Sequence, residues 1–249
     1  MPDLPDQLSP IHQLAPSKLV QSDFPASISI PRGLLVWLTF GLAGAVLFTI
    51  VYLIEGAIRP GYNAWQHAIS ALSLGPGGWI QQANFVVYGV CTLCTAFAWR
   101  KVLKGSVYAI IYPIIRGIEG LALITVGFFS QDPALGYPSG SVLTTHTFHG
   151  QMHIIGAYVI AGAMACGFFA IAWRFARDPR WRGWVTYSVM SGLLVLVFMA
   201  FFGAGQNPQN VFAGYAGLFE RLATNIEPVW EVLLLTRLWA RARLVRSNT

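Results

Sequence analysis

Apolar residues run in six long stretches, near positions 34–58, 81–99, 107–129, 146–173, 183–202 and 216–240, and polar residues fill the gaps between them. A helix needs about 20 residues to cross the hydrocarbon of a bilayer, so each stretch is expected to be a spanning helix. The first is longer than a signal-peptide core and no small-residue cleavage site follows it, so it is expected to remain as the first span. Residues 1–32 are polar and rich in proline and read as a disordered tail. The expected organisation is that tail, a membrane domain over 33–241 and a basic tail over 242–249.

Composition turns this pattern into a class. Hydrophobic residues make up 55% of the 249 positions and charged residues 10%, against about 25% charged in soluble domains. The chain reads as an all-α polytopic membrane protein whose main partner is the lipid bilayer. A net charge of +6 raises the question of nucleic acid, but the basic residues sit in short clusters between apolar runs, which excludes a nucleic-acid face. Lys18 and Arg32 precede the first span, Arg100, Lys101 and Lys104 follow the second, Arg174, Arg177, Arg180 and Arg182 follow the fourth, and Arg237, Arg241, Arg243 and Arg246 end the last; these are thirteen of the 16 lysines and arginines. Because positive loops are retained inside, the alternation points to six spans in a bacterial inner (plasma) membrane with both termini cytoplasmic.

The charge-poor loops then face outward and hold the distinctive chemistry. In the first, "NAWQHAISALSLGPGGW", a short helix is expected to start after Asn63 as N-cap and stop at Gly75-Pro76. Its Ala64, Trp65, Ala68, Ile69 and Leu72 share one side, and Gln66, His67, Ser70 and Ser73 the other. The third loop carries Asp132 and leads into "HTFHGQMH" at 146–153. On a helix, His146, His149 and His153 stack on one face and descend roughly 10 Å, above the small residues Gly156 and Ala157, so they are expected to point into the bundle.

Three readings of this polar group are open. His67, Asp132, His149 and His153 have the donor types of a zinc site, His146 standing by, and the i, i+4 pair brings two imidazoles to one ion. A zinc-bound water would become a nucleophile that Ser70 orients. Alternatively the imidazoles titrate near neutral pH and relay or sense protons, or they bond across helices as structural glue. Deeper charges form a second group: Arg116 and Glu119 in the third span, Glu220, Arg221, Glu227 and Glu231 along the sixth. Arg116 is expected to pair across helices with Glu227 or Glu231 at matched depth, since a lone buried arginine is costly. Glu55 is expected to meet Arg221 or the histidines. Cys91, Cys94 and Cys166 suggest no disulfide.

The outer-loop motifs, "FSQDPALGYP" and "GLFERLATNIEPVWE" among them, resemble a bacterial integral-membrane family of unknown function, domain-of-unknown-function family nine-nine-eight, over about residues 34–240. That resemblance implies a six-span fold and marks His67, Ser70, Asn84, Asp132, Pro133, His149, His153, Glu220 and Arg221, and it supplies no activity. The order histidine with serine, aspartate, then H-x-x-x-H is more distantly similar to the membrane hydrolases that include alkaline ceramidases and adiponectin-type receptors. Those have seven spans, a serine before the histidine, and their histidine pair in the last span. Two function classes follow: a metal-dependent hydrolase of lipid-like amides or esters, and a non-enzymatic permease, proton-linked sensor or assembly factor with a small-molecule or lipid ligand.

Overall fold

The computed structural model describes residues 32–103, 107–141 and 146–247; the expected tail over 1–32 lies almost wholly outside them. Each apolar stretch is a helix: α1 (Arg32–Ile58), α2 (Gly78–Val102), α3 (Tyr108–Phe128), α4 (Phe148–Ala176), α5 (Arg182–Gly205) and α6 (Ala216–Ser247). The fold is all-α, with no strand among the described residues. Five helices, α1 to α5, are long and apolar enough to cross a membrane. The sixth matches them in length but carries Glu220, Arg221, Glu227, Glu231 and Arg237. It also runs on to Ser247, through the stretch expected to be a separate tail.

The helices pack in chain order, each on the next, and α6 closes back on α1. Asn225 of α6 helps to make that closure, donating to the Tyr52 hydroxyl of α1 at 2.6 Å. Small residues set the tightest approaches, as in membrane bundles generally. A Cβ on Gly89 of α2 would strike the backbone of Gly120 in α3, and one on Gly156 of α4 would strike Val126 of α3. The ring has two unlike ends. Arg100, Lys101, Arg174 and Arg182 mark a basic end, where Trp99, Tyr112, Phe168, Phe175, Trp181 and Trp230 form a dry aromatic core. At the other end, the loop end, the connections α1–α2 and α3–α4 fold over the helices.

The first of these loops departs from expectation. Asn63 accepts from the Trp65 N–H at 3.0 Å, making a side-chain turn, and only Ile69–Ser73 is helical, as a 3-10 helix. Ala68 between them is extended, with φ −58° and ψ 151°. The amphipathic wheel does not apply because the whole segment Ala68–Ser73 is buried. It plugs the ring instead of floating on it, so both of its sides need partners.

Candidate functional site

The partners come from α6. Its first free N–H groups, on Gly217 and Leu218, donate to the carbonyls of Gln66 and Trp65 at 3.1 and 2.9 Å, which satisfies donors that a helix start otherwise leaves orphaned. Glu220 accepts from the Ile69 N–H at the start of the 3-10 helix. Arg221 donates to the His67 carbonyl at 3.0 Å and to the Tyr62 hydroxyl; the same hydroxyl donates to the Ala68 carbonyl at 2.8 Å. Glu220 and Arg221 thus clamp the first loop. Glu55 meets neither Arg221 nor a histidine: it pairs with Arg59 one turn on, at 2.6 Å, because Arg59 lies on the same helical face and also reaches the Pro76 carbonyl.

His67 is buried inside this clamp. Its Nδ1 accepts from the Asn63 N–H at 2.9 Å and its Nε2 faces the Leu135 carbonyl at 3.3 Å. An N–H donor on one side and a carbonyl acceptor on the other fix the neutral ring with the proton on Nε2. Burial pushes its pKa below 6.5; the Leu135 bond opposes the shift and the Arg221 charge adds to it.

Asp132 organises the second loop. It accepts from the Thr147 N–H at 3.0 Å and the Thr147 hydroxyl at 2.6 Å, and Thr147 in turn caps α4 by accepting from the Gly150 N–H at 3.0 Å. A carboxylate there also suits the positive end of the helix dipole. Gly150 has no Cβ because one would run into that carboxylate. The histidines diverge around this cap. His146 precedes the helix and is exposed, 3.6 Å from Asp132; His149 is exposed, its ring edge-on to Phe129. Only His153 points into the bundle, 4% exposed, donating from Nδ1 to the Phe129 carbonyl at 2.6 Å. His67, Asp132, His149 and His153 therefore do not converge, and no group of three or more His, Cys, Asp or Glu among the described residues is arranged to hold a metal ion.

At mid-depth, Arg116 of α3 crosses the ring. It pairs with Glu119 at 2.8 Å, with Glu227, and with Glu231 at 3.5 Å. All four are buried. Three carboxylates thus face one guanidinium, and Glu227 Oε2 has no hydrogen-bond partner among the described residues. Pro228 sits between the two α6 carboxylates and removes the N–H that would hold the Thr224 carbonyl, a weak point in the helix ladder.

Between this cluster and the loops lies a cavity of about 350 Å³, within the range of small-molecule sites. Glu119 and Tyr88 line its deep part; Ser70, Gln131, Asp132, His146, His153 and Glu220 line it nearer the loops. Its remaining wall is mostly apolar, and the exposed lining residues Ile154 and Tyr158 of α4 and Gly203 of α5 open it on the outside of the ring. Ser70 donates to Gln131 at 2.5 Å and has no basic partner among the described residues. Tyr88 was not singled out from sequence, nor was Gln131. For Tyr88 a signal existed: Gln81, Asn84, Tyr88, Thr92 and Thr95 make a polar stripe at helical spacing, all buried. Asn84 in that stripe donates to the Phe48 carbonyl of α1 at 3.0 Å.

A family model described as "Protein of unknown function (DUF998)" matches residues 42–237. No curated protein and no solved structure matches the chain significantly, so the ceramidase-like resemblance gains no support from either comparison.

Proposed function

The chain belongs to the DUF998 family, and we propose that it is a six-span inner-membrane protein, loop end outward, that acts as a proton-linked permease or sensor for a small amphipathic molecule. The single observation that carries this reading is a cavity that begins at the loop residues Asp132 and His146 and ends at Glu119, a carboxylate of the Arg116 cluster that ties α3 to α6. Such a cavity lets a proton or ligand arriving at the loop end act on the contact that holds opposite sides of the ring together. The basic end supports the orientation, since basic loops stay cytoplasmic. The buried inward face of Glu227 and Glu231 on α6 supports a sixth span despite its charges.

The test is a pair of spin labels at the exposed positions Tyr158 on α4 and Leu222 on α6, in protein held in lipid nanodiscs. A proton-linked conformational change gives different label separations at pH 5 and pH 8, and Glu119→Gln removes the difference. The same separation at both pH values contradicts the reading.

A zinc-dependent hydrolase of a lipid-like amide or ester is the second reading, favoured by one observation: Ser70, Asp132, His146 and His153 share the cavity wall. Zinc in near-stoichiometric amount in purified protein, lost in His153→Ala, is its signature; folded protein that never binds zinc counts against it.

A further inference from the structure

We infer that the cavity takes an amphipathic organic cation, a lipophilic amine or quaternary ammonium, with its charged head at Glu119 and Tyr88 and its apolar part along α4 and α5. This rests on the proton-linked reading above and names the ligand class. The first ground is charge. Three carboxylates, Glu119, Asp132 and Glu220, line the cavity, and no lysine or arginine does among the described residues. Such a wall repels an anionic headgroup and attracts a cation.

The second ground is the state of the deep polar groups. Tyr88 is 6% exposed and Glu119 1% exposed, and Glu119 Oε2 takes Arg116. Both side chains line the cavity, so a phenol and a carboxyl group face a guest there. The third ground is aromatic. Phe48 stacks on Tyr88 with centroids 5.0 Å apart and lies 5.2 Å from Phe85; all three rings line the cavity, and ring faces attract desolvated ammonium groups.

Proton linkage follows from charge balance. The groups around Glu119 are Arg116 and Tyr112 on α3, Tyr88 on α2, and Glu227 and Glu231 on α6, with His153 of α4 on the same cavity wall nearer the loops. One guanidinium does not balance three carboxylates, and in a low-dielectric interior the excess negative charge is met by a proton or by a cation. When the ammonium head binds beside Glu119, its charge replaces that of a proton held among the three carboxylates around Arg116, and the proton leaves to solvent; release reverses the exchange.

The experiment uses the full chain in nanodiscs with benzyltrimethylammonium, its neutral isostere neopentylbenzene and the anion benzenesulfonate. The cation is expected to bind saturably and release protons into weakly buffered solution. Glu119→Gln should weaken it about tenfold or more and Tyr88→Phe by a smaller factor, as expected for lost charge and lost hydrogen bonding in a desolvated site. Equal binding of neopentylbenzene or of benzenesulfonate overturns the inference without needing any variant to fold, as does undiminished binding by folded Glu119→Gln. If the cation does not bind while the spin-label separation still responds to pH, only the ligand class falls. If neither responds, the proton-linked reading falls with it.

Discussion

Two halves of one ring are built by opposite rules. Toward the basic end the space between helices is filled by aromatic rings: Trp181 stacks on Phe175 with centroids 4.8 Å apart, and Trp230 packs against Phe168 while its indole N–H reaches Ser188 at 3.0 Å. Toward the loop end the same helices enclose a cavity, and hydrogen-bonded loops cover it, their Tyr62, His67 and Tyr137 rings packed on one another above it. The boundary is Arg116, twelve residues from the loop end of α3 (Phe128), or about 18 Å at 1.5 Å per residue. Dense packing leaves one stable arrangement; polar clamps around a void leave room for a second. The difference places adaptability in the loop half and rigidity in the basic half.

The comparison breaks most severely at the boundary. Arg116→Met leaves three buried carboxylates without their cation, a loss of about 3–5 kcal/mol, and is expected to prevent recovery of folded protein in detergent. Glu119→Gln keeps shape and removes one charge, so folded protein should be recovered. In the basic half, Trp230→Ala opens a cavity and should lower stability by about 3–5 kcal/mol, read as a fall in thermal midpoint; it should leave cation binding per folded molecule unchanged. If it removes binding, the halves are not separable. In the loop half, Gly150→Ala drives a methyl into the Asp132 carboxylate and should lower stability by about 1–3 kcal/mol.

The smallest expected effect is a pH slope. His67 is neutral in the fold, with a pKa below its ordinary 6.5. A depressed histidine pKa means the unfolded chain binds more protons, so its stabilisation is fully present above about 6.5 and is lost as pH falls through the folded value. Thermal midpoints measured from pH 7.5 to pH 5 should fall, and His67→Gln should flatten that part of the slope. A slope that His67→Gln leaves unchanged contradicts the neutral His67 described above.

The helices were legible because lipid asks only for length and apolarity: all six stretches are helices, with ends close to the sequence boundaries except that α6 runs on to Ser247. The Arg116 contact with α6 was legible for the same reason, since a buried guanidinium needs a partner and depth along a helix is countable. The loops were not. Periodicity makes residues 64–74 an amphipathic helix, but the wheel assumes one wet side, and this segment is enclosed by α6 and the α3–α4 loop. Periodicity likewise aligns His146, His149 and His153, yet Thr147 starts the helix after the first of them, and the Asp132 carboxylate takes the place beside Gly150. Glu220 and Arg221 stood out as charges in a span; that they hold a loop depended on backbone carbonyls, which no residue pattern displays.

The central claim is one cavity that runs from the loop end to Glu119, with the loop end outward as proposed. Single cysteines at Ala157 and Ala161 on the cavity wall and at Ile171 in the aromatic core, in a chain with Cys91, Cys94 and Cys166 replaced by alanine, test it directly with a membrane-impermeant thiol reagent on intact cells. The account expects labelling at 157 and 161 and none at 171. Labelling at 171 from outside, or protection of both 157 and 161, contradicts it.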